Sequence, residues 1–87
     1  MERIIKLKEN ESICFYLDFG NRTILLGSIA NVGLNTKELD VLLEIKDGAE
    51  KTYYVSAGND IIHTQYYCNH YKIKNFHTGE ILEEKVL

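Results

Sequence analysis

The chain has 87 residues, 45% hydrophobic and 26% charged. That is enough for one core and too few for two, too apolar for intrinsic disorder and too interrupted by charge for a membrane-spanning helix. Ten Lys and Arg stand against 13 Asp and Glu, a net charge of −3, which argues against non-specific binding to phosphate backbones. Cys14 and Cys68 are too few for a disulfide framework, and no secretory signal precedes the first pattern, so a reducing, cytoplasmic setting is expected.

In chain order, Arg3–Leu7 reads as a first strand. From Ser12 to Phe19, Ile13, Phe15, Leu17 and Phe19 alternate with Ser12, Cys14, Tyr16 and Asp18, the period of a half-buried strand. Gly20-Asn21 supplies a turn, and Thr23–Leu26 returns as a second strand that Gly27 bends or bulges before Ile29 and Val32. Gly33, Asn35 and Thr36 break the pattern. Leu39, Val41, Leu43 and Ile45 then alternate with Asp40, Glu44 and Lys46, leaving Leu42 as the apolar residue on the outer side. Asp47-Gly48 predicts a two-residue hairpin turn into Thr52–Val55.

Gly58, Asn59 and Asp60 form the next break. Between Ile61 and Ile73 the apolar residues make no compact helical stripe, so the expectation is one long strand with Tyr66, Cys68, His70, Lys72 and Lys74 on one side; a short helical turn at Ile61-Ile62 is the variant. Thr78-Gly79 predicts a terminal hairpin whose last strand ends near Val86. The sum is a single all-β domain over residues 1–87: a small barrel or sandwich of six to seven short, mainly antiparallel strands. The tyrosine pairs Tyr53-Tyr54 and Tyr66-Tyr67 are large groups to leave on open edges, so homo-oligomerisation is expected.

Chemistry is sparse. Cys68-x-His70, with His63 and His77, offers four metal-ligand types, but the spacing does not bring them to one point, and no metal or cofactor is expected. There is no nucleophile elbow, phosphate-cradling glycine loop or convergent acid and base, so the expectation is a protein that binds and does not catalyse. Tyr54, Tyr66, His70, Lys72 and Lys74 form the candidate ligand surface, because aromatic faces stack on base-like rings while Lys and His hold negative charge. The competing account is a tyrosine-rich edge guarded by lysines. A protein partner, in turn, would be a basic one, facing Asp18, Asp40, Glu44, Glu83 and Glu84.

Two resemblances bear on function. Over the stretch from Ser12 to Ile62, ICFYL, ILLGSIANVGL, LDVLLEIKDG and KTYYVSAGNDIIH resemble the Sm-like small-barrel pattern, which implies a closed SH3-like barrel, ring assembly and RNA binding, with no functional residue carried over. In type, a small acidic domain rich in Ile, Lys, Asn and Tyr and without a catalytic motif is similar to the accessory proteins of phages and mobile elements. That likeness implies an anti-defence inhibitor that blocks a host protein or sequesters an anionic nucleotide-like ligand, with a nucleic-acid-binding small barrel as the alternative.

Overall fold

The computed structural model describes residues 1–33 and 36–87. Eight strands alternate through the chain: β1 (Glu2–Lys8), β2 (Ser12–Asp18), β3 (Thr23–Ala30), β4 (Glu38–Lys46), β5 (Lys51–Ala57), β6 (Asp60–Tyr66), β7 (His70–Asn75) and β8 (Ile81–Val86). They form two four-stranded sheets, ordered β1-β4-β5-β6 and β3-β2-β7-β8, and every ladder is antiparallel. The fold is therefore a sandwich. β2 and β3 lie in one sheet and β4 and β5 in the other, so the continuous ladder that a closed Sm-like barrel needs is not formed.

Period-two patterning builds the core. Leu7, Ile13, Phe15, Leu17, Ile29, Val41, Leu43, Ile45, Tyr53, Val55, Tyr71 and Ile73 all point between the sheets and are buried. At the centre, Phe15 stacks on Tyr71 of its own sheet (5.8 Å) and meets Tyr53 of the opposite sheet at a tilt (5.9 Å). The two buried hydroxyls need partners: Tyr53 donates to the Cys68 carbonyl, and Tyr71 donates to Glu83 Oε1 at 3.0 Å.

The turns follow the local chemistry with one exception. Gly20 adopts φ +88° as the first central residue of a two-residue turn, and Phe19 N–H donates to the Arg22 carbonyl at 2.9 Å. At the terminal hairpin, Gly79 takes φ +74° while Asn75 Oδ1 accepts from the amides of His77 and Thr78. Asp47-Gly48 is not a two-residue turn: Lys46 pairs with Thr52, Gly48 lacks the positive φ of a type I′ turn, and Lys51 Nζ bridges the wider loop to Asp47 Oδ1 at 2.8 Å. The β2–β3 bulge falls where expected, with Phe15 opposite Gly27 and Tyr16 opposite Leu25. Of the expected break at Gly33, Asn35 and Thr36, Asn35 lies outside the described residues.

The long strand over 61–73 is corrected. β6 and β7 are separate strands in different sheets, and Ile61 and Ile62 are extended, not helical. The chain changes sheets at Tyr67–Asn69 because Cys68 turns inward, its carbonyl held by Tyr53 and its thiol against the Asp18 carbonyl at 3.2 Å, while Asn69 exchanges hydrogen bonds with Leu87. This crossing also accounts for the eighth strand.

The two flanks of the sandwich differ. A Cβ at Gly27 of β3 would lie 2.9 Å from Ile62 Cδ1 of β6, so one flank closes by near contact. On the other flank, Arg3 of β1 reaches Glu83 of β8 at 3.5 Å, and Ile73 and Tyr71 register with Glu83 and Lys85, placing both charges on the inner side of the edge strand. Inward charges and the Ile73/Lys74 irregularity blunt β8 against pairing with another chain.

Burial pushes the Tyr53 hydroxyl up to about 12, helped by Cys68 and Asp47, and burial with Glu83 raises Tyr71 as well. A tyrosine whose folded pKa is raised stabilises the fold fully below its unfolded value near 10 and loses that contribution as pH climbs above it. Melting temperature should therefore fall steadily above about pH 10. Tyr53→Phe should cost about 1–3 kcal/mol by leaving the Cys68 carbonyl without its donor, read as a lower denaturant midpoint with an unchanged slope.

Candidate functional site

The five sequence candidates divide among three places. His70, Lys72 and Lys74 alternate on the outer face of β7, between β2 and β8. Tyr54 is on the outer face of the other sheet, and Tyr66 ends β6 beside the loops at one tip of the sandwich. They do not make one surface.

On the β7 face Lys72 and His70 are matched by acids that strand register brings alongside. Lys72 Nζ is 3.0 Å from Asp18 Oδ2 and 3.7 Å from Glu84 Oε2. His70 Nε2 is 2.7 Å from Glu84, and its Nδ1 is 3.8 Å from Asp18. Lys72 and His70 thus spend their donors internally, and an anion arriving there meets two carboxylates. Lys74 makes no ion pair among the described residues and lies over the Tyr16 ring at 5.4 Å. This face is a structural ion network with one available cation.

Tyr54 is also engaged. Its ring stacks on His63 at 4.2 Å and 9°, and Lys46 Nζ sits 5.4 Å above it while pairing with Glu44 at 3.4 Å. Glu44, Tyr54 and His63 are consecutive partners across β4, β5 and β6, so the stack is a cross-strand pair of one sheet face.

Tyr66 is the candidate that lines a cavity. An open cleft of about 310 Å³ lies at the sandwich tip between the β4–β5 and β6–β7 connections, lined by Gly48, Ala49, Lys51, Tyr66, Tyr67, Cys68 and Asn69. Phe19 of the β2–β3 turn packs edge-on against Tyr66 at 5.9 Å, and the Arg22 guanidinium lies over Phe19 at 5.5 Å. Tyr67 is 76% exposed on the rim. A second cleft shares Lys51 and adds Met1, Ile45, Asp47, Lys85, Val86 and Leu87. Lys51 is held to Asp47, whose carboxyl that ammonium pulls below its usual range, yet Asp47 is itself 87% exposed. The Lys51 side chain itself is partly buried, so solvent reaches the pair mainly through Asp47.

Sequence reasoning missed Phe19, Arg22, Lys51 and Tyr67. They sit on the β2–β3 turn, at the start of β5 and on the β6–β7 connection, far apart in the chain, and the crossing at Tyr67–Asn69 brings them around Tyr66; the one local signal is the Tyr66-Tyr67 pair, of which Tyr67 is exposed and Tyr66 half-buried. No family model, curated protein or solved structure matches this chain.

Asp18 links fold and surface. Its carboxyl is held below the usual range first by the Gly20 amide, at 2.8 Å, and then by Lys72. A depressed folded pKa contributes stability above the unfolded value near 3.9 and loses it as pH falls through the folded one. Asp18→Asn should melt below the parent at neutral pH, and the two melting curves should converge below about pH 4, as followed by circular dichroism.

Proposed function

We propose that this chain is a non-enzymatic binding protein whose loop tip captures an anionic, ring-bearing ligand of the nucleotide type, as a sequestering protein does. The observation that carries this reading is the cleft itself, where Tyr66 and Tyr67 offer ring faces beside Lys51, with Arg22 a short distance away over Phe19. Its volume is at the small end of the range for ligand sites. Aromatic rings give stacking area that is indifferent to the identity of a base, and a lysine released from an exposed carboxylate gives charge without a rigid phosphate cage.

Loops at one end of a sandwich can vary in sequence without disturbing the core, which makes them suited to recognition. A second reading, blockade of a host protein by the same tip, draws on the exposed Tyr67 ring and the Arg22–Phe19 stack, which extend the surface past the cleft; Tyr and Arg are the residues that most often anchor protein contacts. Both fit a phage or mobile-element anti-defence protein. The nucleic-acid alternative is weakened by the net charge of −3 and by the two separate sheets.

The test is a thermal-shift and native mass spectrometry panel of nucleotides, cyclic nucleotides and oligonucleotides against the parent, Lys51→Ala and Tyr67→Ala. A ligand at a hundred times its Kd adds about 2.7 kcal/mol, which in a domain of this size raises Tm by roughly 10–20 °C. The expected result is a bound mononucleotide mass with such a shift, reduced in both variants. No shift with any nucleotide, alongside a protein retained by the parent and lost by Tyr67→Ala, would move the reading to blockade. Salt-sensitive oligonucleotide binding that both variants retain would overturn both.

A further inference from the structure

The second cleft, of about 450 Å³, lies on the open flank of the sandwich, one register step beyond the Arg3–Glu83 contact. At that contact Arg3 is opposite Leu43, and Glu83 is opposite Ile73. Two residues further toward the loop tip, the Ile45 amide donates to the Met1 carbonyl at 2.9 Å, and Lys85 is opposite Tyr71. The strand period puts Lys85 on the same inner side as Glu83. The two steps differ in one respect. Arg3 has its acid, whereas Lys85 makes no ion pair and no side-chain hydrogen bond among the described residues.

Lys85 is half-buried, and an ammonium drawn part-way out of water with no counter-charge is a cost that the fold itself does not offset. The other charged side chains at this cleft, Asp47 and Lys51, pair with each other at 2.8 Å. Met1 and Leu87 bring one terminal charge of each sign. The sum leaves a single positive charge, at Lys85. The rest of the lining is aliphatic: Ile45 is buried, Leu87 packs against the core, and Met1 and Val86 form the rim. No aromatic ring lines this cleft among the described residues, in contrast to the loop tip.

We propose that this cleft binds a monocarboxylate with an unbranched aliphatic tail, of the medium-chain fatty acid class. Its head sits on the Lys85 ammonium and its tail lies over Ile45 and Leu87. One uncancelled charge suits a head of one charge, since a phosphate dianion would bring a second negative charge close to Asp47. Aliphatic walls reward a tail by burial alone and give a base nothing to stack on. The volume is within the range of small-ligand sites. The open flank gives the tail its way in, because the sheets are held together there by side chains and not by the close contact of Gly27 with Ile62.

NMR titration of isotope-labelled protein with butanoate, hexanoate, octanoate and decanoate, each below its micellar concentration, tests the proposal. Octanoate should shift the amides of Ile45, Lys85 and Leu87. Each pair of added methylenes should tighten binding roughly tenfold until the tail fills the cleft. Octanol and octylammonium should bind at least tenfold more weakly than octanoate. Lys85→Gln should bring octanoate down to the level of octanol, and Lys85→Arg should retain it. The head and tail series is run on the parent, so it decides the matter even where Lys85→Gln melts early. The proposal is overturned by a parent that shows no shift with octanoate or decanoate, by equal binding of octanoate and octylammonium, or by a folded Lys85→Gln that binds octanoate as the parent does. Tyr67→Ala, which alters the loop-tip cleft alone, should leave octanoate binding unchanged, so this site and the loop-tip reading stand or fall separately.

Discussion

The packing of Phe15, Tyr53 and Tyr71 is the constraint on which the rest of this sandwich depends. Three aromatic rings from β2, β5 and β7 meet at the midplane, and two of them carry hydroxyls that cannot be left unbonded in so dry a place. Tyr53 takes the carbonyl of Cys68, which fixes where the chain crosses from one sheet to the other. Tyr71 takes Glu83, and Glu83 takes Arg3, which joins the last strand to the first. The ring packing sets the distance between sheets, and the hydroxyls decide the route of the backbone around them.

The same bonds place the loop tip. With Cys68 anchored inward, Tyr66 and Tyr67 fall on either side of a sharp change of direction: Tyr66 is pressed against Phe19 and Tyr67 is left outside. The cleft is thus a by-product of core chemistry, formed where a buried hydroxyl pulls the backbone in and the neighbouring rings cannot follow. The two outer faces carry different charge patterns. One is a network in which Asp18 and Glu84 hold Lys72 and His70, and the other is the row Ile4, Leu42, Ser56 and Ile61, beside which lies the Lys6–Asp40 pair.

Much of the fold is legible along the chain. The alternation over Ser12–Asp18 and over Leu39–Ile45 specifies both strands and their inner faces, and Gly20 and Gly79 mark the β2–β3 and β7–β8 turns through a conformation other residues avoid. The break between β6 and β7 is not legible, because Tyr67, Cys68 and Asn69 include no glycine or proline and the backbone turns there for tertiary reasons. The candidate site shows the same division. Tyr66 is found by its residue type, whereas the neutralisation of Lys72 and His70 depends on a β2–β7–β8 register that no local pattern encodes.

The unequal flanks give the molecule a built-in hinge. Where Gly27 lies against Ile62, the sheets touch through backbone and a branched side chain, a contact that tolerates almost no separation. Where β1 and β8 face each other, Arg3 and Glu83 span the gap through long, partly exposed side chains that water can replace. Thermal breathing should therefore open the sandwich like a book with its spine along β3 and β6. Amides of β1 and β8 would then exchange with solvent well before those of β2 and β5, and added salt, by screening the clasp at the open edge, would widen the difference.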